Sequence, residues 1–170
     1  MKASANMHGV AKHTESCKLR AYPDPKTGGK PWTWGWGSTG PDIGPDKVGT
    51  QAEADARFID DVVKREAVAN NAITVPVTQG QFDAIVDMVF NVGPGAKGVR
   101  DGIITLKSGL QSTFWRKLSA RDYNGARAEI IKWCSPGTSV EHGLKRRRTM
   151  DIALWDGKTS AEAIALGMQV

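Results

Sequence analysis

Glu15, Asp24 and Thr33 follow one another at intervals of nine residues, in a segment that begins Glu-Ser-Cys-Lys-Leu-Arg-Ala-Tyr-Pro-Asp-Pro and closes on Trp-Thr-Trp-Gly-Trp-Gly. Two carboxyls and a hydroxyl on one short stretch are suited to hydrolysing a glycosidic bond. One carboxylic acid protonates the leaving oxygen, and a carboxylate activates water or stabilises the cationic transition state. The two groups must differ in charge near neutrality: apolar burial raises a carboxyl pKa, while solvent and hydrogen-bond donors keep it low. Glu15 is followed by the apolar set Cys17, Leu19 and Tyr22, whereas Asp24 lies between Pro23 and Pro25 in an expected turn. Glu15 is therefore assigned as the acid and Asp24 as the ionised partner.

Singly these residues are ordinary: a solvated glutamate at a helix end, a turn aspartate and a β-forming threonine. Their weight comes from the glycines and tryptophans beside them, because glycine lets a backbone approach a ligand and indole rings offer stacking faces. On one strand Trp32, Trp34 and Trp36 share a face opposite Thr33. They read first as lobe core and second as a sugar platform.

The elements that must hold this segment follow from periodicity. Ala3, Met7, Val10 and Ala11 have helical spacing, which puts Glu15 at the end of a short helix with His8, Lys12 and His13 on a solvated flank. Lys18 to Tyr22 alternates as a strand, Pro23 to Lys30 reads as a chain-reversing loop, and Trp32 to Thr39 as the returning strand. Thr50 and Glu53 form a capping box for a helix running to about residue 70. Thr78 caps the strongest core helix, with Phe82, Ile85, Val86, Val89 and Phe90 on one face. Asn-Val-Gly-Pro-Gly at 91–95 ends it. Further helices are expected at 111–119, at 122–134 after an Asp122 cap, at 140–155, and after Ser160.

The 170 residues, 40% of them hydrophobic, suffice for one good core or two lobes sharing a helix. A net charge of +5 implies attraction to a polyanion without choosing among nucleic acid, anionic membrane and bacterial envelope. Cys17 and Cys134 fit no metal spacing and read as small buried hydrophobes, with a redox switch at Cys17 as the alternative. No apolar run approaches the ~20 residues of a membrane span. The N-terminal Met-Lys-Ala-Ser-Ala-Asn-Met-His-Gly has no signal-peptide core.

The segment Glu15 to Thr39 resembles the active-site region of phage-type lysozymes, the endolysins of glycoside hydrolase family 24. The resemblance rests on Glu15, on Leu19-Arg20-Ala21-Tyr22-Pro23-Asp24 and on Thr33-Trp34-Gly35-Trp36-Gly37. It continues through Thr50-Gln-Ala-Glu-Ala, Gln81 to Gly93, Ser112 to Leu118, Asp122-Tyr-Asn-Gly-Ala and Gly143-Leu-Lys-Arg-Arg-Arg ahead of Trp155, covering roughly residues 10 to 156. It departs at the longer turn between Asp24 and Thr33, at Ser38 where a histidine is common, and in an expanded 94–109 connection.

The resemblance implies an α+β, mainly α, lysozyme-like fold: a small strand-bearing lobe at about 15–60, a helical lobe from 1–14 and 70–170, a helix at about 50–70 joining them, and a cleft between. It implies a single catalytic unit that cuts the β-1,4 bond between N-acetylmuramic acid and N-acetylglucosamine in peptidoglycan, with Glu15, Asp24 and Thr33 as catalytic trio and Thr113 as a substrate contact. No metal or nucleotide cofactor is expected. A monomer is expected, stored in the host cytoplasm, reaching the wall through a membrane hole made by a holin-type partner, with virion carriage as the other route. The rival readings are a silent peptidoglycan-binding module, a lytic transglycosylase and a nucleic-acid binder suggested by Lys145 to Arg148. That basic run reads as a solvated face, or as the source of a cation aimed at Glu15. Whether the reaction inverts or retains depends on carboxyl separation, about 6.5–9.5 Å against about 5–5.5 Å, which spacing in sequence leaves open.

Overall fold

A computed structural model describes residues 1–24 and 27–170. The chain is mainly helical with one small antiparallel sheet, in the order α1 (Ala5–Thr14), β1 (Lys18–Tyr22), β2 (Thr33–Gly35), β3 (Ser38–Thr39), α2 (Gln51–Ala72), α3 (Gln79–Asn91), α4 (Thr113–Ser119), α5 (Tyr123–Ile130), α6 (Glu141–Trp155) and α7 (Ser160–Gly167). It divides into two compact units, residues 11–64 and residues 1–10 with 65–170. Among the described residues no helix is long and apolar enough to cross a membrane.

In the 11–64 unit the strands pair in the order β1-β2-β3, with Tyr22 opposite Thr33 and Trp34 opposite Ser38. The return expected as one strand over Trp32 to Thr39 is instead a hairpin, because Gly35 and Gly37 take positive φ (63° and 84°) and turn the chain at Trp36. Pro25 and Lys26, on which part of the expected chain-reversing loop falls, lie outside the described residues.

Trp34 is buried with Ala21, Ile43 and Ala54, while Cys17, Trp32 and Trp36 pack against them half-buried. The indole N–H of Trp34 donates to the Leu19 carbonyl at 2.9 Å, and that of Trp36 to Asp55 Oδ1 at 2.8 Å. Lys12 is not on a solvated flank. Its ammonium meets Asp55 at 2.6 Å and stands 5.1 Å from the Trp36 ring and 5.3 Å from the Phe58 ring, partners that replace lost hydration. Ser38 donates its hydroxyl to Asp61 inside the unit at 2.6 Å. Helix α2 starts as expected: the Thr50 hydroxyl accepts the Glu53 N–H at 3.2 Å, and the Glu53 carboxylate accepts the Thr50 N–H at 2.6 Å.

The second unit is built around α3, whose Phe82, Ile85, Val86, Met88 and Val89 are buried. Its capping box joins Thr78 and Gln81. The N-terminal residues are tied into this unit: the Ala3 N–H donates to Glu66 at 2.6 Å and the Ser4 N–H to Asp83 at 2.9 Å. The helix expected over 122–134 stops at Ile130, since the chain turns toward Ser135 at φ 50°. The last helix is capped by Thr159, one residue ahead of the expected start. Cys134 is buried, and both cysteines are free thiols.

Arg147 and Arg148 depart from the solvated face expected of the basic run. Both are buried, because α3 and α6 carry core carboxylates that require cations. Arg147 Nε and Nη2 each reach Asp87 at 3.0 Å; Arg148 donates to Asn91 at 2.6 Å and lies 3.1 Å from Asp151. Burial pushes the Asp87 carboxyl up, but the Arg147 guanidinium overrides it and holds it below the ordinary value. Asp151 goes the other way, raised by burial and by neighbouring Asp87 against the pull of Arg148. Only the start of the run behaves as surface, with Lys145 pairing with Glu141 at 2.6 Å.

Between α3 and α4 the connection is held by backbone bonds rather than by helix or sheet. Gly98 N–H donates to Lys107 O at 2.8 Å, Gly102 N–H to Thr105 O at 2.9 Å, and Leu106 N–H to Leu110 O at 2.8 Å. Its base is closed by Ile103 N–H to Gly93 O at 3.0 Å and by the buried Ser112 hydroxyl on the Ile103 carbonyl. Gly95 and Gly102 pack backbone on backbone where any Cβ would collide.

Candidate active site

Glu15 is placed by the last turn of α1. Its N–H still donates to Ala11 O at 2.9 Å, so the side chain leaves from a fixed backbone just past the helix. The β2-β3 turn then comes up against the carboxyl. A Cβ built on Gly37 would lie 3.0 Å from Glu15 Oε2 and 3.5 Å from its Cδ, and the φ of 84° already demands glycine there. The glutamate thus rests on the hairpin backbone, with no side chain interposed.

Tyr22 and Thr33 are direct partners across the β1-β2 ladder, so their side chains share one face of the sheet. The Tyr22 phenol is held above its ordinary pKa, chiefly by burial, next by the charge of nearby Glu15, and it is partly relieved by Thr33. The sheet register thus sets Thr33 opposite Tyr22, which lies within reach of the Glu15 charge. Tyr22 was not singled out in the sequence as a site residue. The signal was present in the alternation of β1, which places Tyr22 opposite Thr33 once the hairpin closes.

Asp24 lies two residues beyond the Tyr22–Thr33 pair, where the ladder ends. Its main chain brackets the loop, N–H to Gly29 O at 3.0 Å and C=O from Gly28 N–H at 2.8 Å, while Oδ1 accepts the Thr27 N–H at 3.0 Å. These bonds fix the carboxylate in place. The apolar wall expected beside Glu15 is not built as the sequence suggested: Leu19 and Tyr22 are more than a third exposed, and Cys17 packs into the tryptophan cluster. The pleat of β1 separates these side chains. The Gly37 backbone lies against the Glu15 carboxyl instead. Thr113 is the exposed first residue of α4 in the other unit.

Among the described residues no group of three or more His, Cys, Asp or Glu side chains is arranged to hold a metal. What the 11–64 unit does offer is a carboxyl fixed on a helix end, a second carboxylate fixed by a turn, and a strand hydroxyl opposite a phenol. That is an inventory for proton transfer and water activation.

The family model described as phage lysozyme matches residues 12–151. Over 151 residues the chain is 33% identical to the endolysin of Acyrthosiphon pisum secondary endosymbiont phage 1, covering 86% of this chain and 92% of that protein. It spans about half the length of the endolysins of two Bacillus phages that it also matches. Among solved structures it is similar to the endolysin of Escherichia coli O157:H7 phage FAHEc1 (TM-score 0.70, 29% identity, 91% of this chain and 93% of that one). It is similar also to the muramidase domain of SpmX from Asticaccaulis excentricus (TM-score 0.71, 26% identity, 91% and 97%). With the family model matched across most of its length, and with carboxyl, hydroxyl and turn in place on the small sheet, this chain belongs to the phage lysozyme family.

Proposed function

We propose that Glu15, Asp24 and Thr33 are the catalytic trio of this peptidoglycan hydrolase, and that it cuts the β-1,4 bond from N-acetylmuramic acid to N-acetylglucosamine. The observation that carries the reading is Glu15 seated against the hairpin that Gly37 turns, with Tyr22, the ladder partner of Thr33, within reach of its charge. Glu15 gives its proton to the leaving glycosidic oxygen. A water molecule positioned by Thr33 bonds to the anomeric carbon, and its proton passes to Asp24 where Asp24 acts on the water, or to the Glu15 carboxylate where Asp24 stabilises the cationic transition state. Thr113 contributes a substrate contact from α4.

Glu15→Gln removes the transferable proton while keeping the shape, so clearing of a peptidoglycan suspension should fall by on the order of 10²–10⁴. If wild type and variant bind the polymer and neither clears it, the chain is a silent wall-binding module. Mass spectrometry of the fragments fixes the reaction type: reducing-end muramic acid marks hydrolysis, and a 1,6-anhydro end would mark a lytic transglycosylase. In the cell the enzyme works as a monomer, accumulates in the host cytoplasm and reaches the wall through a hole made by a holin-type partner. Detection in purified virions, or export without such a partner, would count against that route.

A further inference from the structure

The connection between α3 and α4 carries an apolar and cationic surface outside the stretch that bears Glu15, Asp24 and Thr33. Residues 96–101 and 107–111 are continuously exposed. Val99 stands 70% exposed and Leu110 69% exposed, the two most exposed large hydrophobic side chains of the chain. Such exposure at a loop tip is ordinarily met by polar residues, and an isolated aliphatic there would need no account. Here the two are joined. Gly98, next to Val99, donates its N–H to the Lys107 carbonyl at 2.8 Å, and Leu110 accepts from Leu106 at 2.8 Å through its own carbonyl. The stem of Lys97 lies against Gly109, the residue before Leu110, within about 3 Å of where a Cβ would stand. The ionisable side chains from 96 to 111 are Lys97, Arg100, Asp101 and Lys107, three cations to one anion. The single anion, Asp101, is itself exposed and accepts the Lys107 N–H on Oδ1 at 2.7 Å.

We infer that this loop is a docking surface for an anionic phospholipid bilayer: Val99 and Leu110 enter the interface, and Lys97 and Lys107 sit among lipid phosphates. Charge complementarity selects an anionic occupant, and two aliphatic tips distinguish a lipid surface from a phosphate-bearing polymer, which has nothing to receive them. The bracing makes the presentation inexpensive. Gly95 against Gly102, Gly98 to Lys107 and Ser112 on Ile103 fix the tips beforehand, so little ordering is lost on contact.

The test is sedimentation of the intact protein with vesicles of phosphatidylglycerol and phosphatidylethanolamine against vesicles of phosphatidylcholine. Binding to the anionic vesicles is expected, weakening as salt rises. Val99→Ser with Leu110→Ser should lower the partition coefficient by about tenfold or more. Lys97→Gln and Lys107→Gln should each lower it about fivefold on anionic vesicles and leave phosphatidylcholine unaffected. Turnover of soluble glycan fragments and the melting temperature should stay at wild-type values in all of these variants. Equal sedimentation with both lipids, unchanged binding by the double serine variant, or retention on phosphorylated wall polymer with none on vesicles would overturn the inference. Lost turnover of soluble fragments with vesicle binding intact would overturn it too, by assigning the tips to the glycan.

Discussion

Gly37→Ala puts the site geometry to its sharpest test, because the effect on stability and the effect on chemistry arise from different parts of one methyl group. The backbone part is set by φ, 84° at this position, where an L side chain costs about 1–2 kcal/mol. For a chain of this length that lowers the melting temperature by about 2–8 °C. The chemical part is set by the 3.0 Å between the added carbon and Glu15 Oε2, tighter than ordinary van der Waals contact. The glutamate must give by several tenths of an ångström, while the helix end behind it, bonded to Ala11, does not move. Misplacing a reacting group by 1 Å costs on the order of 10²-fold, so kcat should fall about ten- to a hundredfold at a temperature where the variant is fully folded. The assay is initial clearing of peptidoglycan at saturating substrate, beside circular dichroism melting. Gly44→Ala is the control, since no atom lies within 4 Å of its Cβ and its φ is ordinary; it should change neither measurement. A folded Gly37→Ala protein with kcat within twofold of wild type would refute the placement of the carboxyl on the hairpin.

Arg147→Met strands Asp87 in the core without the partner that holds it below its ordinary range, and chemical denaturation should report a loss of about 3–5 kcal/mol. Thr78→Ala removes one half of the α3 capping box for about 1 kcal/mol, seen as a fall of about 2–4 °C in melting temperature, with turnover per folded molecule unchanged. Glu129 is held below the usual carboxyl range, first by its hydrogen bond to Lys117 at 2.7 Å and also by Lys132 at 3.0 Å. A lowered folded-state pKa means its stabilisation is present above the unfolded value, about 4.3, and disappears as pH falls through the folded value. Glu129→Gln should therefore give a shallower loss of stability below about pH 4.3 in acid titrations followed by circular dichroism, and the wild-type slope there would count against this account.

Much of this architecture was legible where local chemistry decides it. The Thr50, Thr78 and Asp122 caps stand where the sequence put them, because a side chain three residues from its partner needs no tertiary information. The β1 strand and the buried face of α3 likewise follow from periodicity. What the sequence hid depends on partners far along the chain. A run of four basic residues looks solvated until Asp87 and Asp151 are known to wait in the core. Lys12 looks exposed until Asp55 and Trp36 arrive beside it. At the site, the residue types of Glu15, Asp24 and Thr33 could be read directly, but not the neighbours of Glu15. Its expected apolar wall was inferred from adjacency along a strand, where the pleat sends successive side chains to opposite faces, and the place of Tyr22 opposite Thr33 emerges only from register across the ladder.

Residues 1–10 and 65–170 form one unit although 54 residues of the other lie between them in sequence. Asn6 accepts the Ser160 N–H at 3.0 Å, and Gly9 faces Ser160 so closely that a methyl group would not fit. As the chain is synthesised, the 11–64 unit has all its own partners as soon as residue 64 emerges, whereas the first ten residues must wait for almost the last helix. The stretch bearing Glu15, Asp24 and Thr33 can thus take shape early and locally, while completion of the helical unit closes a long loop and comes last. An interrupted or truncated polypeptide would then hold a formed hairpin and no finished enzyme, a built-in delay between making the chemistry and being able to use it.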